Sequence, residues 1–104
     1  MGIVAQDNTA GKGTKTFTLA AANDETTRLS LRKGETVQIT CTGMSGSTAQ
    51  VRVYTNGTTG VAADYNGATS FTADFTLNFT AAGKCSVSVF LTVDGGTVTV
   101  NLTR

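Results

Sequence analysis

The sequence contains no proline, no tryptophan and no histidine, and only two of its 104 residues are cysteine. Without histidine, both the commonest general base and the commonest metal ligand are absent. Two cysteines alone do not supply the four ligands of a structural zinc site. We therefore expect no metal site, no cofactor and no enzymatic activity.

Charge is also scarce, since charged residues make up 14% of the chain and the formal net charge is +1. Nucleic-acid binding requires clustered cations that release counterions, and the basic residues here are spread along the sequence. The carboxylates are equally scattered, so no pair is in place for acid–base chemistry. We expect no nucleic-acid partner and no catalytic residue among Asp7, Asp24, Glu25, Glu35, Asp64, Asp74 and Asp94.

Long apolar runs are missing as well. No run approaches the length of a membrane span, and the first residues lack the basic segment and apolar stretch of a secretion signal. We expect a soluble protein without a signal peptide and without a membrane partner. Residues 1–13 have neither helical nor strand periodicity, which predicts an N-terminal arm. We expect this arm to be mobile in the monomer and to order against a neighbour through Ile3 and Val4.

Threonine and glycine are abundant, with 21 and 12 residues respectively, and apolar and polar residues alternate in several runs. Alternation over 35–42, 71–79 and 85–102 predicts strands with one buried face. The phenylalanines of the 71–79 run would form the centre of the core. Asn56–Gly57 predicts a tight turn, followed by a short edge strand at 60–65. Seven or eight such strands indicate one antiparallel sandwich or barrel over residues 14–104.

Three segments resemble strands of the immunoglobulin-like modules of bacteria and phages. They are LRKGETVQIT at 31–40, FTAAGKCSVSV at 79–89 and GGTVTV at 95–100. The resemblance implies an antiparallel immunoglobulin-like β-sandwich of seven to eight strands. Such modules often occur on phage virions and on bacterial surfaces, and of these two locations we expect the virion.

The two cysteines occupy inward positions of long alternating runs. The resemblance places Cys41 and Cys85 on the second and sixth strands, where such folds carry a disulfide between the sheets. The alternative is two buried thiols that act as small hydrophobic residues. Both interpretations remain open at this point.

A small set of large side chains is predicted to face outward. The immunoglobulin-like strand order would put the third, sixth and seventh strands in one sheet, with these side chains on its outer face. Tyrosine and arginine are favoured at protein interfaces, so we predict a protein contact there. The alternatives are that single exposed apolar residues are common, or that Phe90 is covered by residues 60–65. The predicted interface comprises Arg52, Tyr54, Phe90, Thr99 and Asn101.

Two functional hypotheses follow from these observations. The first is a non-enzymatic structural or assembly protein, such as a phage virion accessory subunit that decorates a capsid. Its partners would be other proteins, either copies of itself or capsid and tail subunits. The alternative is a recognition module that binds carbohydrate or a host-surface molecule through its loops and a stacked aromatic residue.

Overall fold

Regular structure is entirely β in the computed structural model, which describes residues 2–3, 13–55, 58–61 and 70–104. None of these residues belongs to a helix that could cross a membrane. The strands are β1 Gly2–Ile3, β2 Thr14–Leu19, β3 Asp24–Glu25, β4 Leu29–Leu31, β5 Thr36–Thr42, β6 Thr48–Thr55, β7 Thr58–Val61, β8 Ser70–Phe71, β9 Phe75–Thr80, β10 Cys85–Val93 and β11 Val98–Thr103.

The strands form two sheets that pack face to face. The smaller sheet has the order β2-β11-β5-β9, and the larger has the order β1-β3-β10-β6-β7, with β4 on β10 and β8 on β6. Every pair is antiparallel except β1 with β3. The predicted all-β antiparallel sandwich is therefore confirmed.

The core lies between the sheets and follows from the alternation of each long strand. In β5, for example, Val37, Ile39 and Cys41 are fully buried, whereas their neighbours along the strand face outward. Cys41 lies opposite Val100 of β11. Each fully buried aliphatic side chain contributes about 1.5–3 kcal/mol of transfer free energy. The buried side chains between the two sheets are therefore a major source of stability.

The 71–79 run is not the single central strand that its alternation predicted. It divides into β8 of the larger sheet and β9 of the smaller sheet, and Ala73 between them is exposed. Phe71 stacks on Phe75 with ring centroids 3.9 Å apart, and these phenylalanines pack beside the core rather than at its centre. Within the 71–79 run, only Leu77 is fully buried. The prediction was wrong because alternation continues unchanged where a chain passes from one sheet to the other.

The predicted edge strand is present but earlier in the sequence. It is β7, at one edge of the larger sheet, and it runs antiparallel to β6 with Thr55 opposite Thr58. Asn56 and Gly57, where a tight turn was predicted, lie outside the described residues, as do 62–65. The predicted range of 60–65 therefore shares only residues 60 and 61 with β7.

The predicted arm falls largely outside the described residues, which omit Met1 and 4–12, including Val4. Ile3 lies in β1, which pairs in parallel with β3. Gly13 exchanges backbone hydrogen bonds of 2.9 and 3.1 Å with Arg104, so it belongs to the sandwich. The mobility of the arm stays a prediction.

One end of the sandwich is closed by two loops, residues 43–47 and 94–97, that touch through their backbones. A Cβ placed on Gly95 would lie 2.3 Å from the carbonyl carbon of Gly46. The Gly95 amide also donates a hydrogen bond of 3.0 Å to Ser47 Oγ. The close approach of the loops therefore requires a residue without a side chain at position 95.

Candidate functional site

The most organised group of polar and aromatic side chains lies on the outer face of the larger sheet. The register of β10 and β6 puts Ser88 opposite Arg52 and Ser86 opposite Tyr54, on the face away from the core. Phe90 lies on the same face, opposite Glu25 of β3. We name the following residues the arginine–aromatic cluster: Glu25, Arg28, Arg52, Tyr54, Ser88 and Phe90.

Glu25 is the centre of this cluster. Its side chain is 2% exposed, and its carboxylate accepts hydrogen bonds from the Tyr54 hydroxyl, from Ser88 Oγ at 2.5 Å and from Arg28 Nε and Nη2 at 3.4 Å. Burial raises the pKa of this carboxyl, but the hydrogen bonds from Ser88, Tyr54 and Arg28 lower it by more, and the result is a pKa below the ordinary 4.5. Glu25 is therefore a buried, ionised carboxylate at neutral pH.

Each of the two arginines lies against an aromatic ring. The guanidinium carbon of Arg28 is 4.0 Å from the centroid of the Tyr54 ring, and that of Arg52 is 3.6 Å from the centroid of Phe90. The hydrogen bond to Glu25 raises the pKa of Arg28. Arg52 Nε also donates to Gln50 Oε1 at 3.2 Å. Both cations are thus held in fixed positions on the outer face by stacking and hydrogen bonds.

Three of the predicted interface residues are brought together here, namely Arg52, Tyr54 and Phe90. They do not form an open apolar surface, because Phe90 is only 9% exposed and Arg52 lies over its ring. The outward phenylalanine therefore has a structural partner in Arg52. Of residues 60–65, the alternative cover for Phe90, 60 and 61 lie in β7 and 62–65 lie outside the described residues.

Thr99 and Asn101 are not part of this face. Their strand, β11, pairs with β2 and β5 in the smaller sheet, so the expected sharing of one sheet by the third, sixth and seventh strands is wrong. The chain crosses between the sheets at residues 94–97 instead of continuing as a hairpin within one sheet. Alternation could not reveal this, because the inward parity of β11 is the same in either sheet.

Sequence reasoning missed Glu25, Arg28 and Ser88. Glu25 lies in a strand of two residues, which is too short to show alternation, and its partner Ser88 is 63 positions away. The only local signal was the spacing of Glu25 and Arg28 by three residues. That spacing alone does not distinguish a buried carboxylate from a surface ion pair.

The two cysteines lie in different sheets, Cys41 in β5 and Cys85 in β10, and both are buried free thiols. Burial, with a smaller contribution from the Asp74 carboxylate, raises the pKa of Cys41 to about 12. Burial also raises the pKa of Cys85. Both groups are therefore protonated at neutral pH and are poor nucleophiles.

We expect neither thiol of the native protein to react with 5,5′-dithiobis(2-nitrobenzoate) at pH 8, because both are buried and protonated. In guanidinium chloride without reductant, two thiols per chain should react. The absorbance of the released thiolate measures both values. A disulfide between Cys41 and Cys85 would instead give no reactive thiol in denaturant until a reductant is added.

Comparison with known proteins reveals similarity at the level of the fold. No protein family model matches the chain, and no curated protein is similar to it in sequence. Among solved structures, the chain is similar to PliG of Aeromonas hydrophila, described as a periplasmic lysozyme inhibitor of g-type lysozyme. The TM-score is 0.50 at 13% identity, and the alignment covers 98% of this chain and 94% of PliG. PliG is thus a protein of similar fold, and it is an enzyme inhibitor rather than an enzyme.

Proposed function

We propose that this protein is a non-enzymatic structural or assembly subunit that binds another protein through the arginine–aromatic cluster. The observation that carries the proposal is the fixed position of two guanidinium groups on the outer face of the larger sheet. The side chain of Arg28 is 48% exposed even though it is bonded to Glu25. Its outer edge is therefore accessible to a partner.

Preorganisation supports this assignment. Binding is weakened when long side chains lose rotamer freedom, a cost of about 0.5–1.5 kcal/mol for each side chain that becomes immobilised. Stacking on Tyr54 and Phe90 orders both arginines before a partner arrives. Arginine and tyrosine are also the residue types that contribute most to binding energy at protein interfaces.

The form that we propose for this subunit is an accessory protein of a phage virion, such as a capsid decoration. The resemblance to immunoglobulin-like modules of phages supports it, as does the sandwich itself, which provides a rigid body. In a symmetric particle the same contact is repeated many times, so a modest interface in each subunit is sufficient for stable attachment. PliG supports the broader assignment, because its description shows that a protein of this fold can act by binding another protein.

The contact can be tested by photo-crosslinking. A benzoylphenylalanine replaces Ser86, which is half-buried beside Tyr54 on the outer face of the larger sheet. Irradiation of the particles or cells in which the protein is made should give one discrete crosslinked protein. Adding Arg28→Ala and Arg52→Ala to the same chain should abolish that product.

The matched control carries the benzoylphenylalanine at Thr99, on the outer face of the smaller sheet. It should give no discrete crosslinked protein. Equal products from both positions, or no product from Ser86 in any preparation, would contradict the proposal. Mass spectrometry of the Ser86 product identifies the partner and shows whether it is a capsid subunit, a tail subunit or a second copy of the chain.

Enzyme inhibition is a second candidate, favoured by the extent of the similarity to PliG, which covers nearly the whole length of both chains. Lysis of bacterial cell walls by a g-type lysozyme, followed by turbidity, checks it directly. A dose-dependent reduction of the lysis rate that Arg28→Ala weakens would make the lysozyme the partner of the cluster. If the rate of lysis is unchanged at micromolar concentrations of this protein, only the assembly role remains.

A further inference from the structure

The outer face of the smaller sheet has an unusual composition. All outward positions of β2, β11, β5 and β9 are Thr, Asn or Gln, and none is charged or aromatic. We name this set the hydroxyl face. Its central row across the four strands is Thr16, Asn101, Thr40 and Thr76. The adjacent row is Thr14, Thr103, Gln38 and Asn78.

The side chains of the hydroxyl face are linked across the strands. Thr16 Oγ1 donates to Asn101 Oδ1 at 2.7 Å, and Thr76 Oγ1 donates to Thr40 Oγ1 at 3.3 Å. Similar pairs join Thr14 to Thr103 at 2.8 Å and Thr36 to Thr80 at 2.9 Å. Since a hydroxyl offers one donor and two acceptor positions, each linked group retains hydrogen-bonding capacity toward solvent or a ligand. The links fix the groups in a regular two-dimensional array.

The absence of charge identifies the chemistry of the partner. Interspersed charged side chains usually keep a protein surface soluble, and the outward positions of these four strands carry none. The one charged residue of the edge strands β2 and β9 is Lys15, which has the inward parity of β2 and pairs with Leu102. A protein partner would require apolar or aromatic side chains at the centre of the contact, and the hydroxyl face has none. A polyanion would require cations there. The partner that complements the hydroxyl face is therefore an uncharged molecule rich in hydroxyl groups.

We propose that the hydroxyl face binds a neutral polysaccharide. A sugar chain presents hydroxyl groups that donate and accept hydrogen bonds in turn, which matches an array of hydroxyl and amide groups. Neighbouring strands of a sheet are rotated by about 20–25° relative to one another, so the array is twisted. A flexible chain follows such a surface, whereas a flat lattice such as an ice plane does not. This site is separate from the arginine–aromatic cluster, which lies on the other sheet.

Affinity electrophoresis provides the test. The purified full-length protein runs through native gels that contain β-glucan, galactomannan or dextran, with the anionic polymer alginate as a comparison. We expect retardation by at least one neutral polymer and none by alginate. The variant Thr16→Val, Thr40→Val, Thr76→Val removes three hydroxyls from the central row and retains good strand formers. It should bind about tenfold more weakly.

Two matched variants complete the experiment. Thr16→Ser, Thr40→Ser, Thr76→Ser keeps the hydroxyl groups and should bind like the parent. Thr55→Val, Thr58→Val, Thr59→Val removes three hydroxyls from the larger sheet and should also bind like the parent, which shows that the loss is local. Circular dichroism confirms that every variant is folded.

Three outcomes would overturn the proposal. The first is no retardation by any of the three neutral polymers. The second is equal retardation of the parent and the Thr16, Thr40, Thr76 valine variant. The third is that this valine variant loses a different property of the parent, either inhibition of ice recrystallisation or a dimer seen by sedimentation. In that case the partner is ice or a second copy of the chain. None of these outcomes depends on the crosslinking experiment at Ser86.

Discussion

Gly95→Ala is expected to lower the free energy of unfolding by about 3 kcal/mol, because it forces backbone atoms apart. The new methyl carbon would lie 2.3, 2.4 and 2.6 Å from the carbonyl carbon, carbonyl oxygen and Cα of Gly46. Backbone atoms cannot rotate away as the end of a flexible side chain does. Chemical denaturation followed by circular dichroism measures the loss.

The matched control for this substitution is Gly83→Ala. No atom lies within 4 Å of a Cβ built on Gly83, and its backbone is not in the left-handed region. The control should be neutral or stabilise the protein by about 0.4–1 kcal/mol, since alanine reduces the entropy of the unfolded chain. Equal stability of the two variants would contradict the contact between the loops at residues 46 and 95.

The same loop contact explains part of what the sequence could not predict. β5 presents one apolar parity to the core over its full length, and β10 does so from Cys85 to Leu91, so alternation located both strands well. Val93, which the same alternation places inside, is 50% exposed after a register irregularity at the end of β10. Alternation carries no information about which sheet a strand joins. The prediction of one central strand at 71–79 and the prediction of the sheet that contains β11 were wrong for that reason, since in both places the chain changes sheets.

Only part of the candidate site could be predicted, because its residues are far apart in the sequence. Arg52, Tyr54 and Phe90 were found because large side chains at outward positions of long strands are conspicuous in sequence. The residue that organises them, Glu25, comes from a strand of two residues that is added at the far side of β10. Pairing across such a distance is fixed by the packing of the whole sandwich and has no local pattern.

Glu25→Ala is expected to destabilise the protein by about 3 kcal/mol at pH 7, because it removes the acceptor of the buried Ser88 hydroxyl, the half-buried Tyr54 hydroxyl and the exposed Arg28 guanidinium. Ser88 is fully buried, so its hydroxyl would lose a partner that water cannot replace. Arg28 would keep its charge without its carboxylate. Urea denaturation at pH 7 measures the change, and Gln38→Ala, at an exposed outward position, should cost less than about 0.5 kcal/mol.

The pH dependence of Glu25→Gln separates the charge of this carboxylate from its shape. The pKa of Glu25 is lower in the folded protein than the ordinary 4.5, so its contribution to stability is complete above pH 4.5 and is lost as the pH falls through the folded value. The glutamine variant lacks this contribution at every pH. The stability difference between parent and variant should therefore be largest at neutral pH and shrink toward pH 2. A difference that stays constant with pH would mean that the carboxylate acts only through its size and its hydrogen-bond acceptors, and the electrostatic role of Glu25 in fixing Arg28 would then be wrong.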